Sequence, residues 1–222
     1  MLLAIDTSSS QTGVALYDGH RVLVEVVWPA PRRHTADLAP QVQWALRQAS
    51  VAPQALQAIA VAIGPGAFTG LRTGVALAKG MALALRLPLV GIFTLDIFAA
   101  AVPPEPGVPL VAALPIGRGR LAASWYRVRG NQWRAESRPE LYTAALLASE
   151  IREPTRVCGE FTAEERATLA ENPHVRLGSP AQCTRRPGLL AELAWERFQR
   201  GHVDAAETLV PFYMTTQSAI PA

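Results

Sequence analysis

Residues 2–28 read "LLAIDTSSSQTGVALYDGHRVLVEVVW". Apolar runs at 2–5, 14–17 and 22–27 are separated by a Ser/Gln/Thr/Gly turn and by Asp18-Gly19, which predicts three strands joined as an antiparallel meander. The same grammar returns at residues 110–137, "LVAALPIGRGRLAASWYRVRGNQWRAES": an apolar strand, a polar turn containing glycine, a second strand, a turn and a third strand. A segment that recurs in this way predicts two halves built alike. Aligning "LAIDTSSSQTGVAL" with "AALPIGRGRLAASW" puts Ala113-Leu114-Pro115 over Ala4-Ile5-Asp6. The hairpin occurs twice, its acid once.

Outward from the first meander, residues 29–35 read as a loop and residues 37–49 follow helical periodicity, with Leu38, Val42, Ala45, Leu46 and Ala49 in one arc. Trp44 falls outside that arc, on the side of Asp37, Gln41 and Gln48. "LQAIAVAIGPG" (56–66) reads as a buried parallel strand ending in a Gly-Pro-Gly turn. A helix follows from about residue 71 to 86. Gly70, Gly74, Ala78 and Ala82 line one face of it, and Ala76, Gly80 and Ala84 another. Glycine inside a helix costs about 1 kcal/mol relative to alanine, so each stripe predicts a neighbouring backbone that comes close. "LPLVGIF" gives another buried strand and "TLDIFAAAV" starts a helix, which completes a mixed α/β lobe over residues 1–102. The proline-dense "PPEPGVP" (103–109) marks the boundary. A smaller, less regular copy then occupies 103–222, with helices at 143–152, 162–171 and 188–200 and strands "TRVCGEF" and "VRLG".

Composition excludes several classes of function. With 222 residues, half of them hydrophobic, the chain can bury a sizeable core. Its longest apolar stretch, 74–85, is interrupted by Lys79 and Gly80 and falls short of the roughly 18 residues of a membrane span. The N-terminus lacks the basic region of a signal peptide, so a cytoplasmic protein with no membrane partner is expected. Cys158 and Cys183 form no CxxC pair and read as structural thiols. His20, His34, His174 and His202 show no HxxH or HxxxH spacing, so no metal site is indicated. The net charge of +3 does not by itself imply nucleic-acid binding.

"GPGAFTGLRTG" (64–74) looks at first like a phosphate loop, but its spacing fits neither common kind. Gly64 is followed five on by Thr69, and the third glycine of a dinucleotide fingerprint would also fall on Thr69. The doubled meander resembles the actin, hexokinase and Hsp70 superfamily, in which two ribonuclease-H-like halves close on a nucleotide. There an acid at the end of the first strand handles metal or water, and turn hydroxyls and amides hold phosphate. Asp6, Thr7, Ser8 and Ser9 supply those groups once; the second hairpin has Pro115, Ile116 and Gly117 in their place.

"LLAIDTSSSQTGVALYDG" (2–19), "AIAVAIGPGAFTGLRTGVALAKGMALALRLPLVGIFTLD" (58–96) and "LVPFYM" (209–214) closely resemble the bacterial TsaB family, also called YeaZ. The resemblance spans the chain and is strongest in GPG-[small]-FTGLR-x-G followed by A-K-G. It implies a non-catalytic subunit that binds and activates TsaD in forming N6-threonylcarbamoyladenosine (t6A) at position 37 of tRNAs that read ANN codons. TsaD, the paralogue and catalytic subunit, carries a metal-binding HxxxH; here His34 is followed four on by Leu38. The chain itself would then need no cofactor, with ATP and metal on TsaD, the ATPase TsaE joining the complex, and tRNA met through the complex. The resemblance also places the TsaD heterodimer face on the helices at 37–49 and 71–86, with Leu71, Gly74, Ala78, Trp44, Gln41 and Gln48 as candidate contacts; the same face can support a homodimer when TsaD is absent. One departure is plain: where the family has a stretch like DARRGEVY, this chain has "PIGRGRLA".

Each feature carries a competing reading. The glycine segment can serve a partner or pack helix on sheet, and the two stripes allow both on different faces. Trp44 suits an interface anchor and equally a ring folded on its own loop. Asp6, Thr7, Ser8 and Ser9 read as a vestigial phosphate hairpin, an inherited turn whose hydroxyls cap backbone groups. The rival is an ATPase or small-molecule kinase that uses Asp6. An older peptidase label on the superfamily finds no Ser/His/Asp or zinc arrangement here. Lys79 is expected in solvent or an ion pair. Arg118, Arg120, Arg127, Arg129, Arg134 and Arg138 read as a solvated hairpin face, with a tRNA contact as the alternative.

Overall fold

The computed structural model describes residues 1–30 and 34–214, the side chains of residues 34 and 35 aside; the 29–35 loop thus lies partly outside the described residues. Contacts divide the chain into two compact units. The first is built on β1 (Leu2–Asp6), β2 (Gln11–Tyr17), β3 (Val22–Pro29), α1 (His34–Gln48), β4 (Ala58–Gly64), α2 (Phe68–Leu85), β5 (Leu89–Phe93) and the start of α3 (Thr94–Ala100), whose residues from Phe98 on belong to the second. Its sheet has the order β3-β2-β1-β4-β5, with β1 antiparallel to β2 and parallel to β4.

The two faces of this sheet differ in a way already written in the strands. Because successive side chains point to opposite sides, "AIAVAI" in β4 puts Ile59 and Val61 on one face and Ala58, Ala60 and Ala62 on the other. Leu3, Ile5, Val14, Leu16, Ile59 and Val61 pack under α1 and α2, against Leu38, Val42, Ala45, Val75 and Ala78. The alanine face, with Leu2, Ala4 and Ala15, receives Leu190, Ala191 and Ala194. Those three residues belong to the last helix of the chain.

The second unit runs through β6 (Leu110–Gly117), β7 (Arg120–Arg129), β8 (Gln132–Ala135), β9 (Glu140–Tyr142), α4 (Ala144–Glu150), β10 (Thr155–Gly159), α5 (Ala163–Ala170) and β11 (Val175–Leu177). Its sheet has the order β11-β10-β6-β7-β8, with β9 added on β7. Read from the other edge this is the order of the first sheet, meander strands and crossover strands in the same places. The internal repeat is therefore a repeat of topology. Thr162 and Glu165 form a reciprocal capping box at the start of α5, which fixes where that helix begins.

The division of the chain needs correcting. A boundary at 103 assigns everything after it to the second lobe, whereas contacts place Met1–Ile97 with Arg186–Phe212, and Phe98–Arg185 in the other unit. The cause is α6 (Pro187–Gln199). Its small apolar stripe fits the alanine face of the first sheet, and Glu25 of β3 anchors its N-terminus, accepting from Gly188 N at 2.8 Å and from Arg186 Nη2 at 2.7 Å. A carboxylate at that end of a helix meets free N–H groups and the positive end of the helix dipole.

Candidate functional site

The hairpin turn after β1 is buried and occupied by its own chain. Asp6, Thr7, Ser8 and Ser9 are all under 7% exposed. Asp6 Oδ1 accepts from Ser8 N at 2.9 Å and from Ser8 Oγ at 2.7 Å, and Thr94 Oγ1 donates to Ser8 Oγ at 2.9 Å. Thr7 Oγ1 donates to Gly70 O at 2.7 Å, and Ala67 N donates to Ser8 O at 2.6 Å. The loop into α2 thus lies directly on the turn. A Cβ on Gly66 would overlap the Ser8 backbone, and one on Gly74 would overlap Thr7 Oγ1. Two glycines of "GPGAFTGLRTG" are there so that the first turns of α2 can sit on Thr7 and Ser8. Thr7 and Ser8 thereby hold the start of α2. Among the described residues no group of three His, Cys, Asp or Glu side chains is placed to bind a metal ion.

The six candidate interface residues separate into two sets. Leu71, Gly74 and Ala78 are buried within the first unit, on the side of α2 that meets the sheet and the Thr7 turn, so they cannot be the surface that a partner touches. Their stripe is the internal one. The second stripe faces outward: Ala76, Gly80 and Ala84 are exposed, and nothing lies within 4 Å of where a Cβ on Gly80 would be. On α1, Trp44 is 39% exposed, Gln48 is exposed and Gln41 is half-buried. Between the two helices runs an apolar groove of about 470 Å³, lined chiefly by Ala39, Val42, Gln43, Leu46, Leu77 and Met81. Leu83 of α2 is also exposed, at 58%.

Sequence periodicity missed the C-terminal strap. Asp204 N donates to Leu89 O at 2.8 Å and Asp204 Oδ2 accepts from Gly91 N at 2.8 Å, so the strap pairs with the edge strand β5. Further on, Phe212 N donates to Ile63 O at 2.7 Å. Gly64 has φ +113°, and a side chain there would overlap Phe212 O, so this glycine is needed both for its conformation and for its space. Lys79, expected in solvent or an ion pair, instead donates to Leu209 O at 3.2 Å and Glu207 O at 3.4 Å. It binds the strap to α2, which gives "LVPFYM" a structural reason.

The second hairpin turns tightly through Gly117–Arg120, and Pro115 lies within β6, opposite Leu121. Arg118, in the left-handed region at φ +56°, is exposed at the tip with Gly117 and Gly119. Arg127 pairs with Glu153 at 2.9 Å and Glu136 at 3.4 Å, so part of the basic face is neutralised by acids of the same unit. No helix among the described residues is long and apolar enough to cross a membrane.

Residues 28–171 match the family model described as "TsaD: tRNA N6-adenosine threonylcarbamoyltransferase". The chain is 34% identical over 152 residues to the "tRNA threonylcarbamoyladenosine biosynthesis protein TsaB" of Escherichia coli K12, covering 68% of this chain and 63% of that one. Its matches to the TsaB proteins span between 43% and 63% of those relatives' length. Among solved structures it is similar to a Pseudomonas aeruginosa protein described as uncharacterized "with similarity to peptidase YEAZ", with TM-score 0.80 and 27% identity, over 96% of this chain and 99% of that one. It shares the fold of a ROK hexokinase from Thermus thermophilus, with TM-score 0.52 and 14% identity, over 90% and 99% of the two chains.

Proposed function

Because this chain belongs to the TsaB (YeaZ) family, within the span of the TsaD-like family model, we propose that it is a non-catalytic subunit of t6A formation that binds TsaD and holds it in a transfer-competent state. The reading rests on one observation: α1 and α2 leave an apolar groove open between them, with Trp44 exposed elsewhere on α1 and an open position at Gly80 on α2. An exposed aromatic can anchor an interface, an open apolar groove can receive a partner's apolar side chains, and a helix with glycine and alanine outward lets a partner helix approach closely. The chain contributes surface, and the chemistry with its ATP and metal belongs to TsaD. Its effect on TsaD is differential binding, favouring the competent conformation by as much as it binds that conformation better. TsaE and tRNA join through the complex, and in isolation the same face supports a homodimer.

The test is calorimetric titration of the chain with TsaD from the same organism, beside Trp44→Ala and Gly80→Leu. Saturable binding by the parent chain is expected. Both variants should keep the parent circular dichroism and lose at least about tenfold in affinity, the scale of one hot-spot residue. Parent-like binding by both variants would remove this face from the proposal. The rival is ATP turnover by the chain alone, abolished in Asp6→Asn, and it would make the protein an enzyme. What weighs against it is the bonding of Asp6 Oδ1 to Ser8.

A further inference from the structure

Cys158 stands in β10, and the chain comes back beside it after β11 through a turn at 179–184 that carries Cys183. Both thiols are free and buried, 2% and 4% exposed. The turn is held in place by several bonds. Gly178 N donates to Val157 O at 2.9 Å and Cys183 N to Ser179 O at 3.0 Å, while Arg166 of α5 donates through Nη2 to Gly178 O at 2.7 Å. A Cβ on Gly178 would stand 2.9 Å from Cys183 Sγ, so that glycine makes the room for the thiol. Cys158 Sγ lies 3.8 Å from the carbonyl of Gln182, the residue before Cys183.

The two thiols are near enough to influence each other, and their surroundings are unequal. The Cys158 S–H, the Gly159 N–H and the Arg166 guanidinium all favour negative charge on Cys183, which holds its thiol below the ordinary range against the opposing effect of burial. The neighbouring Cys183 and burial push Cys158 the other way. A cavity of about 70 Å³, bounded by Val102, Arg156, Cys158, Arg176 and Gln182, opens onto Cys158 and onto the residue before Cys183. It has room for a small neutral molecule and for little more.

We propose that Cys158 and Cys183 form a dithiol modification site, oxidised by hydrogen peroxide to a reversible intramolecular disulfide that ties the end of β10 to the 179–184 turn. The Cys183 thiolate attacks one peroxide oxygen, the O–O bond breaks, and hydroxide leaves and takes a proton to become water; Cys183 is then a sulfenic acid. The Cys158 sulfur attacks the Cys183 sulfur as its own proton goes to the departing oxygen, which forms the S–S bond and a second water. Two thiols and one peroxide thus become a disulfide and two waters, the sulfurs losing two electrons to the peroxide. A dithiol reductant reverses the change.

The experiment uses the full chain, reduced, desalted and exposed to hydrogen peroxide, followed by intact-mass analysis and non-reducing peptide mapping. The expected product has lost two hydrogens, contains a Cys158–Cys183 linked peptide, and returns to the starting mass with a dithiol reductant. Cys158→Ser should instead leave a sulfenic acid on Cys183 that a dimedone-type probe captures. Arg166→Gln should slow disulfide formation several-fold at neutral pH, because the thiolate loses its cation. Oxygen additions on the parent chain without the linked peptide, or linkage only between chains, would overturn the proposal, and neither result depends on a variant folding.

Discussion

Gly74 and Gly80 lie on one helix and answer to different neighbours. A Cβ on Gly74 would meet Thr7, whose hydroxyl is already committed to Gly70 O, so Gly74→Ala is expected to destabilise the chain by about 1–3 kcal/mol, the usual cost of overpacking. At Gly80 the added methyl meets open space, and Gly80→Ala should stabilise the isolated chain by about 0.5–1 kcal/mol through helix propensity alone. Denaturant midpoints at unchanged slope would check both. Opposite signs are the prediction; equal signs would mean that the two stripes do not face different surroundings. Both glycines were legible in the sequence as demands for close approach. Which one faced inward was not, because helical spacing defines a stripe without saying what covers it. For that reason Leu71, Gly74 and Ala78 looked like contact residues and are core.

At the scale of the element, α6 shows how a short polar contact can set the place of a helix. Its sequence predicts a helix starting near residue 188, and Leu190, Ala191 and Ala194 form its buried face. Nothing local says which sheet it will cover. The choice rests on the alanine face of the first sheet and on Glu25, more than a hundred residues away in sequence, which caps its first turn. Glu25→Ala leaves Gly188 N without its acceptor and Arg186 without its carboxylate. It should cost about 1–2 kcal/mol, the value of a lost cap, and the loss should appear as a lower midpoint of unfolding. α1 behaves more simply. Its apolar arc of Leu38, Val42, Ala45 and Leu46 is buried as its periodicity demands, and Trp44, outside the arc, stays exposed for the same reason.

The whole molecule is a topology used twice and chemically furnished once. The strand order of the first sheet returns in the second, yet the Asp6–Ser9 turn has no counterpart at Pro115–Gly117. Since residues 186–212 belong to the first unit, a chain ending at residue 102 would leave the alanine face and the β5 edge uncovered. Such a truncation is expected to aggregate or to lack a cooperative unfolding transition, and adding residues 186–214 as a separate peptide should restore one. A cooperative, soluble 1–102 fragment would show that α6 and the strap are dispensable. The sequence by itself determined the elements, the repeat and the family, since these follow from local periodicity, turn chemistry and motif, all carried by neighbours along the chain. Only the tertiary structure decided which glycine stripe faces outward, which unit owns α6, that Lys79 binds a strap, and that two cysteines without a motif lie side by side. Each of these depends on a partner distant in sequence, and burial and close approach belong to the pair of surfaces that meet.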